Sequence, residues 1–161
     1  MTFMCVAAAN YLIELTNGYN ADKPYADKIS MTCKRLQKLL YFSDAEYMKK
    51  NQGQSMFSDD FYAWSSGPVI PSVYYKFMQY QTGEMYPLEG KHTPITEEMK
   101  TALKRIFDIT ISLDTDDLVE KSHVVGGPWH KVFNNNESGK EKLIPKADIY
   151  DYYINREVIC I

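Results

Sequence analysis

The stretch FYAWSSGPVIPSVYYKF, Phe61 to Phe77, constrains the fold more than any other part of the chain. It sets one glycine and two prolines inside a run of aromatic and β-branched residues. Pro68 removes a backbone donor and biases Gly67 away from helical geometry, while Gly67 has access to φ values closed to other residues. Pro71 sits where a helix tolerates a missing N–H, at its first turn. The stretch therefore predicts a strand, a rigid turn at Gly67-Pro68 and a helix, with the rings on both sides packed into the core. Just upstream, SMFSDDFYAWSSG alternates, with Phe57, Phe61 and Ala63 on one parity and Met56, Tyr62 and Trp64 on the other. That fits a short strand or a hairpin.

The rest of the chain reads as helices. Cys5, Ala8, Ala9, Leu12 and Leu15 follow the spacing of an amphipathic helix that Gly18 should end. A polar link from Asn17 to Lys28 leads to a second helix, in which Ile29, Cys33, Leu36, Leu40 and Tyr47 keep register. Ser30 or Thr32 serves as its N-cap and Gly53 as its stop. After Pro71, Val73, Phe77 and Tyr80 share a face, and Gly83 closes the helix. Thr96 opens a fourth helix, with Glu97 and Glu98 in the first turn where the macrodipole favours carboxylates. Its stripe is Met99, Ala102, Leu103, Ile106 and Phe107. A short helix runs from Asp116 to about His123 and stops at Gly126, Gly127 and Pro128. Trp129 to Glu141 has loop composition, with flanking residues suited to a hairpin across it. Pro145 opens a last helix with Ala147, Tyr150 and Ile154 in register, and the apolar tail Val158 to Ile161 suits an edge strand.

The expectation is a mainly α fold: a compact helical domain of about five or six helices with a small antiparallel β-sheet or hairpin. With 161 residues, 45% apolar and 24% charged, the chain is expected to form a single domain over 1–161. A formal charge of -3 lacks the basic excess that phosphate backbones demand, so nucleic acid is not the expected partner. Lys34, Arg35 and Lys38 would form a basic patch on the second helix, read here as a solvated face rather than a DNA grip. Three cysteines without CxxC spacing suggest neither a disulfide framework nor a zinc knuckle, and fit a cytoplasmic setting. The apolar start has no basic residue before Lys23 and is interrupted by Glu14, unlike a signal peptide. No run is long enough to span a bilayer, so no membrane partner is expected.

Candidate chemistry is thin. His123 and His130 lie seven apart, but neither His92 nor the cysteines add zinc ligands at a recognisable spacing. His123 is better placed to cap the C-terminal end of the short helix. Asp114, Asp116 and Asp117 lack the glycine and the twelfth-position carboxylate of a calcium loop, and helix capping explains them. Ser65 and Ser66 lack the frame of a nucleophile elbow, and there is no phosphate-binding glycine loop. No cofactor and no metal is implied. Tyr41, Trp64, Tyr74 and Tyr75 either fill the core or form an interface anchor.

Three blocks carry a resemblance: RLQKLLYF (Arg35 to Phe42), FYAWSSGPVIPSVYYKF, and LVEKSHVVGGPW (Leu118 to Trp129), followed by a helix after LIPKADIYDYY. In this order they resemble the Panacea domain, the SocA-like antitoxin family of bacterial and phage toxin-antitoxin systems, over about 29–153. The Ser65-Ser66 pair departs from it, standing where the family more often has a ring before Gly-Pro. The resemblance implies an antitoxin that neutralises a cognate toxin protein by direct binding, and not an enzyme. Another implied mode is a proteolytic adaptor that delivers the toxin to a AAA+ protease, with the apolar tail as its contact. A third reading, an enzyme using His123, lacks a complete constellation. The partner-binding candidates are Trp64, Gly67, Pro68, Tyr74, His123 and Trp129, with Trp64, Tyr74, His123 and Trp129 expected near one another.

Overall fold

The computed structural model of the chain describes residues 4–80, 84–133 and 142–160. Its helices are α1 (Met4–Asn20), α2 (Cys33–Lys50), α3 (Pro71–Phe77), α4 (Glu97–Thr110), α5 (Thr115–Ser122), α6 (Pro128–Phe133) and α7 (Lys146–Tyr153). Three short strands, β1 (Phe61–Trp64), β2 (Gly67–Val69) and β3 (Leu143–Ile144), form an antiparallel sheet in the order β2-β1-β3. The mainly helical fold with a small antiparallel sheet is the one expected.

Helix α2 is the axis of the molecule. It packs against α1, α4, α5, α7 and β2, and every residue from Arg35 to Glu46 is buried. Thr32, not Ser30, is its N-cap, with the hydroxyl oxygen accepting the Arg35 N–H at 3.0 Å. Gly53, at φ +84°, ends the turn beyond the helix and returns its N–H to the Met48 carbonyl at 2.9 Å.

Around that axis, α1 buries Cys5, Ala8, Ala9 and Leu12 as its spacing predicts, and packs against α4 and α2. Gly18 does not end it. The helix continues to Asn20, whose side-chain amide donates to the Ile29 carbonyl and accepts the Ile29 N–H, both at 2.8 Å. Gly18 is exposed and weakens the helix by ~1 kcal/mol relative to alanine without breaking it. In α4 the predicted stripe is buried throughout and Thr96 caps the Met99 N–H at 3.2 Å. Asp114 and Asp117 form a reciprocal capping box at the start of α5.

The basic patch does not exist as a surface. Only Lys34 is exposed, while Arg35 is 4% and Lys38 0% accessible. Arg35 donates to the carbonyls of Thr110 and Leu113, each at 2.9 Å, and so closes the C-terminal end of α4. A guanidinium spent on backbone carbonyls inside the fold is not offered to a phosphate backbone.

Further expectations are corrected in the second half of the chain. Trp129 to Phe133 is helix α6, not loop, because Pro128 opens a helix just as Pro71 does. Residues 134–141 lie outside the described residues, as do Gly83 and Ile161. In α7 the buried face is Ile149 and Tyr153; Ala147 is exposed, and Tyr150 is half-buried with its ring against Gly53. The tail is not a strand: Val158 and Ile159 are buried without sheet pairing. Among the described residues no helix is long and apolar enough to cross a membrane.

Candidate functional site

The hairpin is tighter than its sequence suggests. Trp64 pairs with Gly67, Ala63 with Pro68 and Tyr62 with Val69, so Ser65 and Ser66 alone make the turn. Gly67-Pro68 is therefore not the turn but the start of the returning strand. Pro68 is tolerated there because β2 is an edge strand, and its partner Ala63 directs its own N–H the other way, to the Lys142 carbonyl at 2.8 Å.

Gly67 is required by space as well as by conformation. It sits at φ +115°, and a Cβ on it would lie 2.6 Å from Lys38 Cε and 2.7 Å from Ser122 Oγ. The hairpin is thus wedged between α2 and the end of α5, closer than any side chain would allow. Beneath it, the fully buried Lys38 donates to the Pro68 carbonyl at 3.0 Å. Burial, helped by the charge of Lys34, brings its amine down to about 7.

On the α5 side, Ser122 is buried and its hydroxyl donates to the Val119 carbonyl at 2.7 Å. His123 is the C-cap of α5, but its backbone makes the capping bonds, to Val119 and Glu120. Its ring faces elsewhere. It stacks on the Trp129 indole with centroids 3.7 Å apart and 9° between planes, and its Nε2 is buried with no hydrogen-bond partner among the described residues. Burial and the nearby Lys38 lower its pKa, partly offset by the Ser66 backbone. Trp129, backed by Phe133 at 4.5 Å, donates its indole N–H to the Trp64 carbonyl at 2.7 Å. The Trp64 ring meets Tyr74 edge-on at 5.1 Å and lies 6.1 Å from Tyr75.

All six candidate residues therefore converge on the hairpin, in two layers. Gly67, Pro68 and Trp129 are buried and act as the support. Trp64, Tyr74 and His123 are half-buried, and Tyr75 is 55% exposed, so these rings reach the surface. Of the remaining ring considered for an interface, Tyr41 is wholly in the core.

The sequence reading missed Lys38, Ser122 and the exposure of Tyr75. A signal for Lys38 was present: it stands amid Leu36, Leu39, Leu40, Tyr41 and Phe42, which surround the helix with apolar side chains and leave no wet face at that level. His130 does not join His123, since its Nδ1 accepts the Gly126 N–H at 3.1 Å within the local turn. Among the described residues no group of three or more His, Cys, Asp or Glu is placed to hold a metal. A cavity of about 740 Å³ lies away from these residues, walled by Asn17 and Asn20 of α1, Tyr25, Met31, Tyr80 and Tyr86.

The comparisons bear on the same region. A family model described as "Antitoxin SocA-like, Panacea domain" matches residues 36–130, more than half of the chain and inclusive of every residue of the hairpin site. The match is narrower than the sequence blocks suggested and leaves out α1 and α7. A curated relative, "Antitoxin SocA" of Caulobacter vibrioides (strain NA1000 / CB15N), is 30% identical over 126 residues, which is 70% of this chain and 65% of the relative. The chain thus spans 65% of that relative's length. No solved structure matches the chain.

Proposed function

The chain belongs to the SocA-like antitoxin family with the Panacea domain, and from that premise we propose that it neutralises a cognate toxin protein by binding it directly through the hairpin surface. The supporting observation is the cluster of half-buried and exposed rings, Trp64, Tyr74 and Tyr75, set on a short hairpin and the first turns of α3. Large rings with few rotamers, held on rigid elements over a packed base, are the side chains that dominate interface energetics. Trp64 and Tyr75 are the anchors; Gly67, Pro68 and Trp129 hold them from beneath. His123 lies at the margin of the surface.

No catalytic role is assigned to His123. Its ring lies flat on the Trp129 indole, and the neighbouring Ser122 hydroxyl donates to a carbonyl rather than to the imidazole, so no nucleophile is paired with it. Of the tail that would serve an adaptor as its contact, Val158 and Ile159 are in the core and Cys160 is exposed, which favours occlusion as the reading proposed here.

The test is co-expression with the product of the neighbouring gene. Relief of its growth arrest, and co-purification of the two proteins, are expected for the wild-type chain. Trp64→Ala combined with Tyr75→Ala should lose both while retaining the helical circular dichroism of the wild type. Full protection by that variant would refute the surface. Protection that disappears in cells lacking a AAA+ protease, with the neighbour otherwise depleted, would replace occlusion with delivery.

A further inference from the structure

The outer side of β2 faces neither solvent nor another strand. Two consecutive residues of α2 cover it: Gln37 Oε1 accepts the Ile70 N–H at 2.8 Å, and Lys38 Nζ donates to the Pro68 carbonyl at 3.0 Å. A neighbouring strand would offer the same acceptor and donor at this two-residue spacing. Pro68 removes the one further N–H that a strand would have to answer. The helix side chains thus take the place of a fourth strand, and the hairpin is fastened to α2 through them.

We propose that Lys38 is a positioning residue for the partner surface: through Pro68 it holds the hairpin, and with it the Trp64 and Trp129 rings, at one setting, and proton uptake at its amine displaces that setting. The inference rests on the reading that this surface binds the toxin, but its first test needs no partner. Lys38 is enclosed, with Nζ 3.3 Å from the point where a Gly67 Cβ would stand. The titratable groups acting on it are both bases, Lys34 on its own helix and His123 at the end of α5, while β2 presents only backbone and the uncharged residues Gly67, Pro68 and Val69. Among the described residues no carboxylate balances a charge at that place, and burial brings the amine to about 7. A proton gained there is an uncompensated buried charge; relieving it moves the amine and the Pro68 carbonyl it holds, so the shift reaches the Trp64 carbonyl, and the Trp129 indole bonded to it, through the hairpin itself.

Both tryptophans of the chain belong to this unit, so their indole N–H resonances report on it alone. His123 titration is removed with His123→Gln. In that chain the Trp64 and Trp129 indole resonances should move together with a midpoint near pH 7, and adding Lys38→Met should flatten both across the neutral range. In the complex, Lys38→Met should weaken toxin binding about threefold to tenfold, the worth of one buried hydrogen bond. Its melting temperature at pH 7 should nevertheless rise, a split that a merely structural lysine would not produce. Indole resonances that stay flat in His123→Gln, a transition that survives Lys38→Met, or an unchanged affinity would each overturn the proposal. Should Lys38→Met fail to fold, the His123→Gln titration decides by itself. Should the wild-type chain bind no toxin, the functional reading fails while the titration still decides the positioning role.

Discussion

Replacing Lys38 with methionine should stabilise the protein at neutral pH and lose that advantage in mild alkali. The amine falls from its ordinary value of 10.5 to about 7 because it is fully buried. In the unfolded chain it binds a proton below about pH 10.5, and in the folded chain only below about 7, so stability rises with pH across that window and is at its lowest below it. The full difference corresponds to at most ~5 kcal/mol. Methionine keeps the stem's packing but leaves the Pro68 carbonyl without a donor, at a cost of about 1–3 kcal/mol. The net expectation is a variant more stable by about 2 kcal/mol at pH 7. Raising the pH by two units restores ~2 kcal/mol to the wild type and cancels that advantage near pH 9. Burial also raises the Cys5 thiol to about 11 and the Tyr153 hydroxyl, which act the opposite way in alkali, but both are common to the two proteins and drop out of the difference. Urea unfolding of both proteins at pH 7, 8 and 9 reads this directly. A variant less stable than wild type at pH 7, by an amount independent of pH, would refute the reasoning.

Three further perturbations follow from the packing. Gly67→Ala places a Cβ against Lys38 and Ser122 at a φ of +115° and should lower unfolding free energy by about 2–4 kcal/mol in chemical denaturation. Arg35→Met leaves the Thr110 and Leu113 carbonyls unanswered; about 2 kcal/mol should be lost, with faster amide exchange at the C-terminal end of α4. Asp44 accepts the Ser55 hydroxyl and the Met56 N–H, and burial raises its carboxyl to about 6. Because the folded chain takes up this proton before the unfolded one, the wild type should gain up to ~3 kcal/mol relative to Asp44→Asn as pH falls from about 6 to 4, measured by thermal melts across that range.

What could be read from the residues depended on how many independent signals met at one place. In α4 a cap, two first-turn carboxylates and five apolar positions agreed, and the element is as expected. In α7, two turns long, Ala147, Tyr150 and Ile154 were as periodic as Ile149 and Tyr153, and only packing on α2 chose the second set. Helix α6 was hidden by Gly126-Gly127, although Pro128 carried the same opening signal that located α3. The convergence of Trp64, Tyr74, His123 and Trp129 was anticipated and is present. Its cause was not legible, because the need for glycine at position 67 comes from the distance between α2, α5 and the hairpin, which no local pattern encodes. Lys38 was misread for a related reason: a lone lysine marks a wet face only where the helix has one.

The central claim is that the exposed rings of the hairpin are where a toxin is held. The most direct measurement is calorimetric titration of the purified neighbouring gene product into the purified chain, without any protease, for wild type and for Trp64→Ala/Tyr75→Ala. The account predicts saturable binding by the wild type, weakened about a thousandfold in the variant, since two anchors at ~2 kcal/mol or more each are removed. Equal affinity for both proteins, or no binding by the wild type, would contradict it.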